Sequence, residues 1–316
     1  YWLARYLERT ENTARLIKSY NNLIMDIPIG TEPSWMILVD ILDERNRYSK
    51  IFRNENEQNV HKFLVEKPSV TCGIHYSIAQ ARENMRTTRD VLPEEAWEYT
   101  NGLFLYSSEN RTKHSRRQSR LAYLDEIIQR CQMISGLIDS TLPRDNAYHF
   151  IKIGCLLERA DMTVRIIDVG AGDIIDREGI NDAIDPILWG SLLEALSAKS
   201  AYRKAVSPIV EKNPIVDFLF KTESFPRSIY FCLREISIEI GDKPNRQSVT
   251  KLLRSSMRKL RKFDASALTR EQLHEFIDKF QLFLIALNKE FYSSWFIGEQ
   301  KCCLLYTSPS PRDYPG

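Results

Sequence analysis

A segment near the start of the chain returns in altered form about 150 residues later, and this internal repetition most constrains the fold. Residues 8–15 (ERTENTAR) align with residues 158–165 (ERADMTVR). Further matches follow in the same order at offsets of 154 or 155 residues: Trp35 with Trp189, Tyr48 with Tyr202, Phe63 with Phe218, and Ile74 with Ile229. Ordered matches at a nearly constant offset predict two related halves, residues 1–145 and 146–301, packed about a pseudo-two-fold axis.

Apolar residues recur at helical spacing through both halves, as Trp2, Leu3, Tyr6 and Leu7 do at the start. The chain holds only 12 glycines and 13 prolines in 316 residues, below the roughly 12% that these residues usually contribute together. This composition favours long helices over many short strands. We therefore predict an all-α bundle of about ten helices, over residues 1–28, 34–52, 59–66, 68–92, 115–142, 146–169, 186–206, 226–240, 246–263 and 269–296.

The two ends of the sequence do not look like the ends of a complete protein. The chain opens at Tyr1 already in helical period, so we expect a truncated N-terminus. Residues 303–313 (CLLYTSPSPRD) resemble the translated read-through of a transposase sequencing adapter. The alternative is a genuine disordered tail rich in serine and proline. We expect one helical domain over residues 1–301 and a disordered artefact over residues 302–316.

Charge, cysteine spacing and motifs exclude several function classes. The net charge of +2 argues against a nucleic-acid partner, and no run of 18 apolar residues predicts a membrane span. Phosphate-binding glycine loops and the serine-hydrolase motif are missing, and the single E-x-x-H motif (residues 271–274) predicts no metal site and no cofactor.

Four cysteines lie far apart outside the tail, which indicates buried free thiols in a reducing, cytoplasmic compartment: Cys72, Cys131, Cys155 and Cys232. Two basic runs, residues 111–120 and 254–262, read as solvated helix faces, with an acidic partner or nucleic acid as the alternative.

The repeated motif carries the candidate functional residues. Arg5, Glu8, Asn12 and Arg15 fall on one helix face. In the second copy, Glu158 and Arg165 occupy the matching face, while Cys155 stands at the position of Arg5. Arg82 and Arg86 are a third possible contributor.

Three interpretations of this charged face remain open. The first is a polar network that fixes helix register, because arginine binds carboxylate bidentately. The second is a cleft for a carboxylate ligand, with the arginines as a clamp and Glu8 or Glu158 as acid or base. The third is an ordinary solvated helix face.

Four segments resemble motifs of the bacterial alpha-E domain family, an all-helical family long described as a domain of unknown function. They are residues 1–15 (YWLARYLERTENTAR), 81–84 (AREN), 157–165 (LERADMTVR) and 225–233 (FPRSIYFCL). Two residues depart from the family pattern: Cys155 replaces a common Arg, and Thr71 replaces a common Pro. The first departure would weaken a symmetric arginine clamp.

The resemblance implies a role but no established catalytic residue. Members of the family are typically encoded beside, or fused to, a circularly permuted ATP-grasp protein and a transglutaminase-like protein. This context implies an accessory protein of a system that forms peptide or amide bonds or tags peptides. It would bind the ligase, or a peptide carboxylate, through a cleft formed by Arg5, Asn12, Arg15, Arg82, Arg86, Arg165 and Arg227. The alternatives are a stand-alone enzyme that uses Glu8 and Glu158 as acid and base, and a structural interaction module with no ligand site.

Overall fold

Helices joined by short loops account for the chain wherever the structure, a computed structural model, describes it: residues 1–28, 33–113, 116–173 and 185–296. The first half contains α1 (Trp2–Asp26), α2 (Met36–Ile41), α3 (Arg45–Ile51), α4 (Glu57–His61), α5 (Ile74–Thr87), α6 (Glu94–Asn110) and α7 (Arg117–Thr141). The second half contains α8 (Asn146–Asp173), α9 (Asp185–Ala195), α10 (Lys199–Ala205), α11 (Lys212–Lys221), α12 (Ile229–Ile240), α13 (Gln247–Arg261) and α14 (Arg270–Trp295). A π-helix, Lys62–Glu66, continues α4. No β-strand forms in the described ranges, so the predicted all-α class is confirmed.

The predicted count of about ten helices was wrong, since the described residues form fourteen α-helices. Two predicted helices are each divided, because Asp43 (φ 55°) and Ser197 (φ 52°) adopt the left-handed conformation, which ends a helix. Two further helices, α6 and α11, were not predicted. In α11 the apparent breaker Pro214 is the third residue, where a backbone N–H has no intrahelical acceptor to lose.

Helix α1 is the centre of the molecule. It packs against α5, α7, α8 and α9, while α8 packs in turn against α12 and α14. Every residue from position 2 to position 14 is consequently buried. The polar residues of the repeated motif therefore lie inside the protein, which makes the solvated-face interpretation wrong.

Two aromatic pairs lie in the core, one within residues 1–145 and one within residues 146–296. Tyr48 packs edge-on against Phe63, with 5.2 Å between ring centroids. Tyr202 packs in the same way against Phe218, at 5.5 Å. Both tyrosines are almost fully buried, and each hydroxyl donates to a backbone carbonyl in the loop that follows its helix. All four residues belong to the hydrophobic core.

Candidate functional site

Two Glu-Arg dipeptides face each other where α1 and α8 cross. Arg9 on α1 donates to both oxygens of Glu158, from Nε at 2.5 Å and from Nη2 at 2.9 Å. Arg159 on α8 donates to both oxygens of Glu8, from Nε and Nη2, each at 2.9 Å. Each dipeptide thus supplies one carboxylate and one bidentate guanidinium to the other, the strongest geometry for such a pair.

Each carboxylate also receives a further cation, but from different elements. Glu158 accepts from Nε of Arg5 at 2.9 Å. At Glu8 the position that corresponds to Arg5 is held by Cys155, whose Sγ lies 3.0 Å from Oε2. The missing positive charge comes instead from Arg227, which lies just before α12 and donates to Glu8 at 3.1 Å. Although Cys155 replaces an arginine, each of the two carboxylates therefore still pairs with at least two arginines.

Asn12 joins this network through Arg227, whereas Arg15 and Arg165 stay on their own helices. Arg227 donates to Oδ1 of Asn12 at 2.6 Å and to Glu11 at 3.1 Å. Arg15 pairs with Glu11 at 2.8 Å, and Arg165 pairs with Asp161 at 2.9 Å, each four residues earlier. These two arginines neutralise neighbouring acids and do not reach Glu8 or Glu158.

Arg82 and Arg86, the predicted third contributor, lie outside the network. Arg82 donates to Asn101 at 2.7 Å and sits over the ring of Phe104, 4.9 Å from its centroid. Arg86 forms an exposed ion pair with Glu83 at 2.5 Å. The sequence motif AREN therefore belongs to the packing of α5 against α6 and not to a shared cleft.

Sequence reasoning missed Arg9, Arg159 and Asn288 as members of the network. Arg9 and Arg159 fell off the helix face that we selected, because that face was chosen on one helix in isolation. The Glu-Arg repetition itself was the signal that could have found them. Asn288 on α14 accepts from Arg5 at 2.7 Å, and no sequence pattern indicates this contact.

Burial and charge together fix the protonation of the network. Burial raises the pKa of Glu8, but the charges of Arg159 and Arg227 outweigh it and hold the pKa at about 2. Burial lowers the pKa of Arg9, and the adjacent Glu158 more than compensates, so the net pKa is raised. Burial also raises the pKa of the Cys155 thiol well above its usual range. Glu8 is therefore ionised and the Cys155 thiol protonated at neutral pH.

The centre of the network is closed to solvent. Glu158 and Arg9 are fully buried, and Glu8 is 5% exposed. The side chains of Arg159 and Arg227 are 20% and 11% exposed, and that of Arg15, which is linked to Arg227 through Glu11, is 17% exposed. Such an arrangement can lock two helices in register, and it can meet an external carboxylate at the partly exposed Arg159–Arg227 edge.

The structure also bears on the cysteines, on metal binding, on membrane crossing and on the first basic run. Cys72, Cys131, Cys155 and Cys232 are free thiols, as predicted. In the described ranges no cluster of three or more His, Cys, Asp or Glu side chains is arranged to hold a metal ion. None of the described helices combines the length and apolarity that crossing a membrane requires. In the first basic run, Arg117 donates to the carbonyl of Asn21 and Arg120 pairs with Glu57, so these arginines tie α7 to neighbouring elements.

Comparison with known proteins gives one match. Residues 1–296 match the model of a family described as Alpha-E, a predicted alpha-helical domain with a conserved ER motif. The two Glu-Arg dipeptides at the centre of the network fit that description. No curated protein and no solved structure matches the chain.

Proposed function

The chain belongs to the Alpha-E family, and from this premise we propose that it is a non-catalytic accessory protein of a system that forms peptide or amide bonds or tags peptides. In this proposal its partners are a circularly permuted ATP-grasp protein and a transglutaminase-like protein. The observation that carries the non-catalytic part is the saturation of Glu8 and Glu158 by arginines inside the protein.

A stand-alone enzyme that uses Glu8 and Glu158 is poorly supported by this geometry. A general acid or base works best when its pKa lies near the operating pH. The pKa of Glu8 is held at about 2, and both oxygens of Glu158 accept hydrogen bonds from buried arginines. Neither carboxylate can exchange a proton with a substrate without first losing its partners.

We place the contact with the partner at the Arg159–Arg227 edge, because the centre of the network is buried. A carboxylate of the ligase or of its peptide would approach these two guanidinium groups from outside. The closure of the network also favours a second candidate, a structural interaction module with no ligand site. In that candidate the arginines serve only the packing of α1 against α8.

Co-purification tests the accessory role. We expect tagged protein to retain the ATP-grasp protein encoded beside its own gene, and Arg227→Gln to weaken this association about tenfold, the effect of one lost charged hydrogen bond. Arg86→Gln is the matched control on an exposed pair, and circular dichroism checks that each variant is folded. Arg227→Lys, which keeps the charge, should retain part of the association.

Each other outcome has a definite meaning. No association with wild-type protein would overturn the accessory role. Association that is unchanged in folded Arg227→Gln would favour the structural module. If Glu8→Gln kept association but lost a measured turnover, the enzyme would be supported after all.

We also propose that the two halves derive from one duplicated unit and pack about a pseudo-two-fold axis. The element bounds support this: α3 and α10 begin and end 154 residues apart. The segment Glu57–Glu66 and α11 begin and end 155 residues apart. The starts of α7 and α14 differ by 153 residues.

The contacts of the motif support the same proposal. The Arg9–Glu158 pair and the Arg159–Glu8 pair are reciprocal, as an exchange of two equivalent helices requires. Thr13 donates to the carbonyl of residue 72 at 3.4 Å, and Thr163 donates to that of residue 227 at 3.1 Å. These carbonyls, 155 residues apart, precede α5 and α12 by the same distance.

A further inference from the structure

A polar cavity of about 580 Å³ lies beside α4. Its lining residues are different from those of the Glu-Arg network. The side chains that matter here are Glu57, His61, Lys62, Glu66 and Arg120, contributed by α4, the π-helix and the first turn of α7. Its volume falls within the range of ordinary small-molecule sites. π-helical turns of this kind are rare and frequently occur at functional sites.

The cavity contains opposite charges that do not neutralise each other. Across the described residues, neither the Lys62 ammonium nor the Glu66 carboxylate forms a salt bridge or a side-chain hydrogen bond. The buried Nε–H of Arg120 also has no hydrogen-bond partner, although its Nη2 pairs with Glu57. Burial raises the pKa of Glu66 more than the charges of Lys62, Lys67 and Arg111 lower it, as expected for a carboxylate without a close cation.

At the corresponding place in the second half, the two charged side chains pair with each other. The two positions 155 residues later carry the opposite charges, Asp217 and Lys221, and these pair at 2.8 Å. Lys221 also donates to the carbonyl of Phe263, and Asp217 accepts from the backbone of Ala265. In α11 this is an ion pair between residues four apart, as α-helices commonly form.

Apolar residues replace the polar lining in that second half. His61 is the fifth residue from Glu57, and the fifth residue of α11 is the buried Val216. Arg120 is the fourth residue of α7, and the fourth residue of α14 is the buried Leu273. The fold therefore does not require histidine or arginine at these places, and their presence beside a cavity calls for another reason.

We propose that this cavity binds a small zwitterion, namely an amino acid or a short peptide with free termini. Lys62 and the Nε–H of Arg120 would receive the ligand carboxylate, and Glu66 would receive the ligand ammonium. A ligand that carries both charges can pair with the cations and with the carboxylate of the site. An anion alone would leave Glu66 without a partner, and a cation alone would leave Lys62 without one. The site is independent of the ATP-grasp partnership proposed above.

Calorimetric titration of the full chain tests the site directly. The probes are alanine, dialanine, trialanine and tetra-alanine with free ends, and the same compounds with an acetylated amino end or an amidated carboxyl end. We expect at least one free-ended probe to bind and its capped forms to bind at least tenfold more weakly, since each loses one charged hydrogen bond. Binding should also weaken as the pH falls through the raised pKa of Glu66.

Variants separate the site from general stability. Lys62→Gln and Glu66→Gln should each weaken binding about tenfold, while Lys50→Gln on an exposed face of α3 should not change it. The double variant His61→Val with Arg120→Leu carries the residues of the second half, so it should remain folded and lose binding. The proposal is overturned if no free-ended probe binds, if capped probes bind equally well, or if the Lys50 variant weakens binding as much as the Lys62 variant.

Discussion

At the scale of the residue, the central fact is that two carboxylates are buried without becoming neutral. Moving a lone carboxylate out of water costs several kcal/mol, and well-placed arginines offset that cost. Glu158 is paired with Arg5 and Arg9 from α1, whereas Glu8 draws Arg159 from α8 and Arg227 from the segment before α12. The same electrostatic requirement is thus met by cations from different parts of the chain.

Removing one charge from this network should destabilise the fold strongly. Glu158→Gln leaves Arg5 and Arg9 buried with uncompensated charge, so we expect the free energy of unfolding to fall by about 3–5 kcal/mol. Urea denaturation measures the change. Glu83→Gln, which removes an exposed pair, is the control and should cost under about 1 kcal/mol. Similar losses in the two variants would contradict a buried, energetically important network.

The lowered pKa of Glu8 predicts acid sensitivity. Its folded pKa is about 2 against an ordinary value of 4.5. The unfolded chain therefore binds more protons between these values, and the stabilisation present above pH 4.5 is lost as the pH falls toward 2. We expect the unfolding midpoint of wild-type protein to drop more steeply across this window than that of Glu8→Gln. Parallel curves for the two proteins would show that Glu8 titrates normally.

At the scale of the element, the crossing of α1 and α8 depends on a close approach of backbone. Gly154 lies one position before Cys155, and a Cβ at this residue would meet the backbone carbonyl of Tyr1. The two helices can therefore approach closely enough for the guanidinium groups to reach across. A β-carbon at residue 154 would push α8 away from the start of α1.

Two glycine substitutions distinguish the loss of stability caused by a steric clash from the gain in stability caused by higher helix propensity. Gly154→Ala should destabilise the protein by about 1–3 kcal/mol, because it overpacks the crossing. Gly136→Ala on α7 has no neighbouring atom within 4 Å and should stabilise the protein by about 0.5–1 kcal/mol, since alanine favours a helix. Thermal unfolding of both variants gives the comparison. A stabilising Gly154→Ala would rule out the close contact.

At the scale of the whole molecule, the halves are bound together by their most polar helix faces. Glu8 and Arg9 of the first half find their main partners in the second half. Neither half can satisfy these charges alone, and each would expose an apolar face as well. The molecule is therefore expected to fold as one unit.

Separating the halves tests this dependence. We expect fragments 1–145 and 146–301 to show no cooperative unfolding when each is alone in solution. Mixing them in equal amounts should restore helical circular dichroism and a cooperative transition, because the reciprocal pairs can re-form. Arg9→Gln in the first fragment should prevent this recovery. A fragment that unfolds cooperatively by itself would show that the network is dispensable for folding.

The sequence predicted the local features of this protein well. The helical spacing of apolar residues gave the all-α class, and the start of α14 at Arg270 is explained by a capping box between Thr269 and Gln272. The repeat identified Glu8 and Glu158 as residues that belong together. Helical spacing and capping depend on neighbours within one or two turns of helix, and the repeat depends on matching residues along the chain, so both are visible in the sequence.

Tertiary structure alone decided which charges meet. A helix viewed in isolation has one polar face, but residues 2–14 of α1 are all buried. Arg9 is therefore as buried as Leu7, and its partner lies 149 residues away. Asn288 reaches the network from a segment whose sequence gives no sign of it. Arg227 was expected in the network and belongs to it, whereas Arg82 was expected there and lies elsewhere. Periodicity reports which residues point inward, because that follows from the helix itself. It cannot report what they touch, because that depends on how separate helices pack, and here this packing turned an expected cleft into a closed network.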